Sequence, residues 1–319
     1  MQSVIPQYEV VIPHFHNVSQ LGFLLEHIRV GNSYAVPSRV IVVDDCSGNE
    51  VIEQLRSIRS KMIALGLNVS ILALPQQIGM FPAIREGLSH VRSPYVVVCV
   101  DDIRLLLKTK GQYRTVTMPN PFCTLVHYLD QGQKAHEADP DHINDIGLVF
   151  PFVLRWEQFE VVHTADRSIY SIKKNVHPLI SNHKFGYHIQ GMIKPSDVHH
   201  LEFFEVSLGH RYCFALNMNL YRKVGGFDKE LDPYPYGLED LCLRMRKNGV
   251  ASYMTSQASV FHKFERGEKP AGSLSNMFEL DDRIELVVKM FYDKWGNFSP
   301  AVLNKNINEM INLPASILQ

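Results

Sequence analysis

The chain has 319 residues, 45% hydrophobic and 20% charged, with a formal net charge of −1. This is ordinary globular composition, and near-zero charge removes any electrostatic case for binding nucleic acid or an anionic membrane. No apolar run approaches the roughly 18 residues of a membrane span, and the opening Met1-Gln2-Ser3-Val4-Ile5-Pro6 lacks the regions of a signal peptide. The five cysteines are scattered, and none pairs at zinc-ligand spacing. They read as reduced core thiols of a cytoplasmic protein. The fifteen histidines fall mostly in irregular polar stretches, and nearly all read as solvated or hydrogen-bonded imidazoles.

Strand and helix alternate through the first hundred residues. Tyr8-Glu9-Val10-Val11-Ile12-Pro13 reads as a strand stopped by proline, and Leu21, Leu24, Leu25 and Ile28 fall at helical spacing. Val40 to Val43 is a second strand. Val51, Leu55, Ile58, Met62 and Leu65 then repeat at the helical period, with Gly66 as the stop. Val69 to Leu74 is a third strand, Phe81 to His90 a helix, and Tyr95 to Val100 a fourth strand. This alternation predicts an α/β fold with an open, mostly parallel, doubly wound sheet. Residues 105–205 lose periodicity and are expected to hold loops, short strands and an excursion. Order returns with a strand at Tyr212–Met218, a turn at Val224–Asp228, a helix from Leu238 to Lys247, a short strand Ser259–His262 and an amphipathic helix from Glu279 to Tyr292.

Two of the buried strands end in paired acids. Tyr95-Val96-Val97-Val98-Cys99-Val100 runs into Asp101-Asp102, and Val40-Ile41-Val42-Val43 runs into Asp44-Asp45-Cys46-Ser47. Adjacent carboxylates repel, and a hard divalent cation carrying a phosphate relieves them. Both pairs fall at carboxyl ends of strands, where open α/β sheets bind nucleotides. Asp44 and Asp45 can accept from a base imide or ribose hydroxyls, or cap the following helix. Glu239 and Asp240 begin a later helix, and a carboxylate there can serve as general base. Asp240 is the favoured member because it directly precedes Leu241-Cys242-Leu243-Arg244. Tyr234, Tyr236 and Phe227 are candidates for an aromatic wall around it.

In order, these landmarks resemble the inverting family 2 glycosyltransferases of the GT-A fold. Val10-Val11-Ile12-Pro13-His14-Phe15-His16-Asn17 is similar to that family's "V-I-P-x-Y-N" strand, and Val42-Val43-Asp44-Asp45-Cys46-Ser47 to its "V-D-D-x-S". Gln77-Ile78-Gly79 through Gly87 keeps the two-glycine spacing of "N-x-G-x-x-x-A-R-N-x-G", with Ile84-Arg85 where the family has Arg-Asn. Val100-Asp101-Asp102 resembles the DXD metal motif. Gly225-Gly226-Phe227-Asp228 and Gly237-Leu238-Glu239-Asp240-Leu241-Cys242-Leu243-Arg244 resemble "G-G-F-D" and "E-D-x-D-L-x-x-R", the latter one residue short. Val260-Phe261-His262 resembles the strand whose histidine completes the metal shell.

The resemblance implies a metal-dependent transferase that moves a sugar from a nucleotide-sugar donor, a UDP-sugar by preference, to a glycan, lipid-linked or protein hydroxyl with inversion, as in polysaccharide biosynthesis. It assigns Mn²⁺, with Mg²⁺ as the alternative, to Asp102 and His262. It gives the nucleotide to Pro13, Asp44, Asp45, Gly79, Arg85 and Asp101, and the base role to Asp240 or Glu239. Residues 1–104 would form the nucleotide-sugar half of one GT-A domain and 105–265 the acceptor half with an irregular insertion. Residues 266–319 would form a mobile loop and a helical extension, with residues 300–319 packing on the body or on another subunit. The alternatives are a glycan-binding module on a decayed transferase fold, and a retaining transferase of the same fold.

Overall fold

The structure is a computed structural model. It describes residues 6–30, 36–109, 112–115, 120–155, 159–164, 167–172, 203–206, 209, 211–232, 236–262 and 280–295. In chain order the first half holds Tyr8–His14 (β1), Val18–Val30 (α1), Arg39–Asp44 (β2), Asn49–Ala64 (α2), Val69–Ala73 (β3), Met80–Ser89 (α3) and Tyr95–Cys99 (β4). Next come Ile103–Thr109 (β5), Gln112–Thr115 (β6), Pro121–Ala138 (α4), Asp145–Arg155 (β7), Phe159–Thr164 (β8) and Arg167–Ile172 (β9). The remainder is Phe203–Glu205 (β10), Cys213–Asn217 (β11), Met218–Lys223 (α5), Tyr236–Lys247 (α6), Val250–His262 (β12) and Leu280–Trp295 (α7).

Among the described residues the strands form one sheet in the order β3-β2-β1-β4-β11-β7-β12-β5-β6-β9-β8, with β10 paired to β12. The β3-β2-β1-β4 part is wholly parallel, as the strand–helix alternation predicts. β11 then joins β4 antiparallel, and beyond it the parallel β7–β12 pair stands among antiparallel ladders. The fold is thus α/β, an open mixed sheet covered by helices on both faces.

The side-chain period of two sorts each strand onto both faces. Val10, Ile12, Val40, Val42 and Val97 face a core completed by α1, α2 and α4. Val11, Ile41, Val43, Val96 and Val98 face the other, completed by α3, α6 and α7. A parallel sheet covered on both faces needs such continuously apolar strands. At Gly87 the helix α3 meets the sheet so closely that a Cβ would lie 2.6 Å from Val11 Cγ1 and 2.8 Å from Val43 Cγ2.

Three differences from the sequence reading have local causes. β1 continues through the buried Pro13 to His14, because its ladder to β4 has ended at Val11↔Val98 and no donor is missed. The stretch expected to be irregular contains α4, 18 residues long. Asn120 caps it by accepting from the Phe122 amide, and Pro121 stands at its start, where its absent N–H is harmless. Phe122, Leu125, Val126 and Leu129 carry its buried stripe. The strand ending at His262 is also longer than expected, 13 residues, with its ladder to β7 shifting between Thr255 and Ser259.

Candidate active site

The carboxyl ends of β1, β2 and β4 bring the expected nucleotide residues together. His14 and Asp44 are opposite in the β1–β2 register, and His14 Nδ1 lies 2.7 Å from Asp101 Oδ2, joining the ends of β1 and β4. Burial raises the Asp101 carboxyl above its ordinary range, and the hydrogen bond from His14 acts against that rise. Asp44 is fully buried and closes a local turn: Ser47 donates its amide at 2.9 Å and its hydroxyl at 2.5 Å. Asp45 accepts from the amides of Ile78, at 2.7 Å, and Gly79, at 2.8 Å, and so ties β2 to the start of α3. Gly79 takes φ +96° there, a conformation that only glycine adopts readily. Burial is the main cause raising the Asp45 carboxyl. Arg85 projects from α3 onto Asp232, 2.5 Å away, rather than standing free for a phosphate.

Asp102 sits partly exposed just beyond β4. In the β5–β12 ladder His262 is opposite Ile103, so its backbone lies one position from Asp102. Among the described residues no three His, Cys, Asp or Glu side chains gather as a metal cluster. The backbone register places Asp102 and His262 at the same end of the sheet.

Glu239 and Asp240 are adjacent on α6 but belong to different faces. Asp240 is fully buried, and three side chains share its carboxylate. Arg244 Nε donates to Oδ2 at 2.7 Å, while Trp295 Nε1 and Lys294 Nζ each lie 2.9 Å from Oδ1. Arg244 also donates to the carbonyls of Val224 and Gly226, binding the Gly225-Gly226 turn to the same helix. Glu239 is buried as well, yet its Oε2 has no hydrogen-bond partner among the described residues. Burial pushes its carboxyl up to about 7, with the charge of Arg211 pulling the other way. One turn on, Cys242 interacts with Ser252 of β12 and the backbone of Gly209, so this face looks toward β12 and the segment before β11. Tyr236 packs on Phe291 and Phe227 on Phe81 and Tyr221. Tyr234 lies outside the described residues.

The two acids of the helix thus differ in their surroundings: Asp240 is braced by three side chains, while Glu239 Oε2 has no hydrogen-bond partner among the described residues. The pair Asp240–Arg244 spans one helical turn, and Asp240-Leu241-Cys242-Leu243-Arg244 fits "D-L-x-x-R" without a gap. A helix cannot omit a residue, so the family's "E-D" positions fall on Gly237 and Leu238, and Leu238 is in the core. Glu239 lies at the variable position between them.

Two further residues join the site that sequence reading left aside. His14 gave no signal beyond its place after Pro13. Arg211 stands at the end of the β4–β11 ladder: Cys213 is opposite Cys99, and the Val100 amide donates to the Tyr212 carbonyl at 3.0 Å. Continuing that register brings Arg211 across from Asp101. The loop expected from residue 266 onward lies outside the described residues, as does the 300–319 segment.

Residues 9–105 match the family model described as Glycosyl transferase family 2. No curated protein matches the sequence. Among solved structures, a mannosyltransferase, PcManGT from Pyrobaculum calidifontis in complex with GDP-Man and Mn²⁺, is similar with a TM-score of 0.52 at 14% identity, covering 83% of this chain and 59% of that one. GalNAc-T7 with UDP, GalNAc and Mn²⁺ gives a TM-score of 0.55 at 10% identity, covering 83% and 45%. S. aureus TarS residues 1–349, in complex with UDP-GlcNAc, gives 0.52 at 13% identity, covering 96% and 72%. The chain therefore spans 59% and 45% of the lengths of the first two. No helix among the described residues is long and apolar enough to cross a membrane. Over residues 9–105 the chain is thus similar to the family 2 glycosyl transferases, and its fold is of the GT-A type.

Proposed function

We propose that this chain is a metal-dependent, inverting glycosyltransferase that moves a sugar from a nucleotide-sugar donor to a hydroxyl of a glycan, a lipid-linked oligosaccharide or a protein. The observation that carries the reading is Glu239: a buried carboxylate whose Oε2 has no hydrogen-bond partner among the described residues, pushed up to about 7 by its burial, on the helix at the sheet's acceptor side. A base poised near the working pH is what deprotonation of an attacking hydroxyl requires. Asp240 holds the helix in place, and Glu239 takes the proton. One base and direct attack at the anomeric carbon give inversion.

On the donor side, Asp101 and His14 line the nucleotide edge with Pro13. Asp45 shapes that edge by fixing the Gly79 turn. Asp102 and His262 are the residues that would hold a divalent cation. Such an ion supplies charge neutralisation for the departing nucleoside diphosphate. Similarity to folds seen with UDP, UDP-GlcNAc or GDP-Man supports a nucleotide-sugar donor without choosing among bases. UDP-sugars remain the preferred class, although Asp44 and Asp45 are both engaged internally.

A second reading, a sugar-binding domain that has lost catalysis, is favoured by one observation: Gly237-Leu238 stand where the family carries two acids. One experiment separates the two. Purified protein is incubated with UDP-, GDP- and dTDP-sugars in Mn²⁺, and donor hydrolysis and transfer are followed by mass spectrometry. Turnover that Glu239→Gln abolishes supports the transferase. Tight nucleotide or glycan binding with no turnover in any pairing supports the binding domain.

A further inference from the structure

His14 lines the nucleotide edge, but the reading above gives its imidazole no contact of its own. It ends β1 at 2% exposure, with Nδ1 held by Asp101 and Nε2 lacking a hydrogen-bond partner among the described residues. A carboxylate only accepts, so Nδ1 carries the proton that faces Asp101. In the neutral ring Nε2 is then a lone pair, and a buried acceptor without a donor is costly to keep.

The backbone around His14 points to the same place. Among the described residues two that are not glycine take positive φ, His16 at 60° and Cys46 at 64°. One follows β1 and the other follows β2, on either side of the opposed pair His14 and Asp44. Such conformations are uncommon for residues with a Cβ and gather where function constrains the chain.

We propose that His14 selects the nucleoside: Asp101 orients the ring, and Nε2 accepts a hydrogen bond from an O–H or N–H of the donor's nucleoside. This rests on the nucleotide-sugar reading above. The two sources of that donor group are a ribose hydroxyl and the imide N–H of uracil or guanine.

Calorimetric titration in Mn²⁺ tests it, with UDP, GDP, their 2′-deoxy and 3′-deoxy counterparts and CDP, on the wild type and His14→Asn. The asparagine amide reaches the Nδ1 position and keeps a donor for Asp101 but places nothing at Nε2. The variant should bind the preferred diphosphate about tenfold more weakly, the worth of one hydrogen bond. One analogue should lose the same factor on the wild type and nothing more on the variant. A deoxy sugar in that role assigns the hydroxyl, and CDP, which has no imide N–H, assigns the base.

Equal wild-type affinity for every analogue would overturn the proposal without reference to any variant. An unaffected His14→Asn, or one weakened equally for all the nucleotides, would also overturn it, the latter marking a purely structural histidine. If the wild type binds none of these diphosphates, the transferase reading fails too. Binding that ignores His14 removes only this inference.

Discussion

Trp295 donates its indole N–H to Asp240 across 55 residues of sequence, at 2.9 Å. The bond joins the last described helix to α6, and Lys294 reinforces it by bridging Asp240 and Asp228 at 2.9 and 2.6 Å. The helix lies beyond the segment that matches the family model, residues 9–105, yet its side chains hold the helix that bears Glu239.

Asp240→Ala should therefore act on stability. It leaves Arg244 and Lys294 facing a buried gap, and removing one member of a buried ion pair costs about 3–5 kcal/mol. Trp295→Phe keeps the packing and removes one donor, at about 1 kcal/mol. Thermal and denaturant melts should rank Asp240→Ala well below Trp295→Phe and both below wild type. An Asp240→Ala protein that melts like wild type but has lost all turnover would return the base role to Asp240.

Glu239→Gln should lower the transfer rate by about 10²–10⁴ and leave donor affinity unchanged. In the wild type the rate should rise with pH through about 7 and then level, since only the ionised carboxylate accepts the proton. A flat profile between pH 5.5 and 8.5 would remove Glu239 from the mechanism.

The same carboxyl makes an opposite prediction for stability. Its folded value is raised, so the folded state holds its proton between about 4.5 and 7 while the unfolded state has released it. Stability therefore falls as pH rises through that window. The glutamine variant escapes this loss, on the order of 3 kcal/mol at full burial. Melting curves should put Glu239→Gln above wild type at pH 8.5 and level with it at pH 4.5.

Asp102→Ala should abolish Mn²⁺-dependent stabilisation and nearly all transfer. A metal that binds the folded state raises its melting point by mass action, so differential scanning fluorimetry with and without Mn²⁺ and EDTA reads the effect. Retention of the Mn²⁺ shift in the variant would contradict the metal assignment.

Gly87→Ala tests the contact between α3 and the sheet. The added methyl would stand 2.6 and 2.8 Å from side-chain carbons of Val11 and Val43, so helix or strand must shift. Overpacking of this kind costs about 1–3 kcal/mol. Because Gly79 and Asp45 lie at the start of the same helix, donor KM should rise along with the loss of melting temperature.

The amino-acid sequence alone determined the nucleotide half. Its strands are buried on both faces, so they appear as unbroken apolar runs, and the acids that end them mark the sheet's edge directly. The helix at Pro121–Ala138 was legible in principle through its Asn120 cap and its buried stripe, but dispersed polar residues masked the period. Tertiary structure alone decided the chemistry of the acids. Whether a carboxylate is a base, a brace or a turn closure depends on its partners; only Asp44 finds its own nearby, in Ser47, and the others come from elsewhere: Gly79 for Asp45, His14 for Asp101, Trp295 for Asp240. Glu239 and Asp240 are neighbours in the chain, but one helical step of about 100° turns them to different surroundings. Only folding leaves one of them with an oxygen unpartnered among the described residues and surrounds the other with donors.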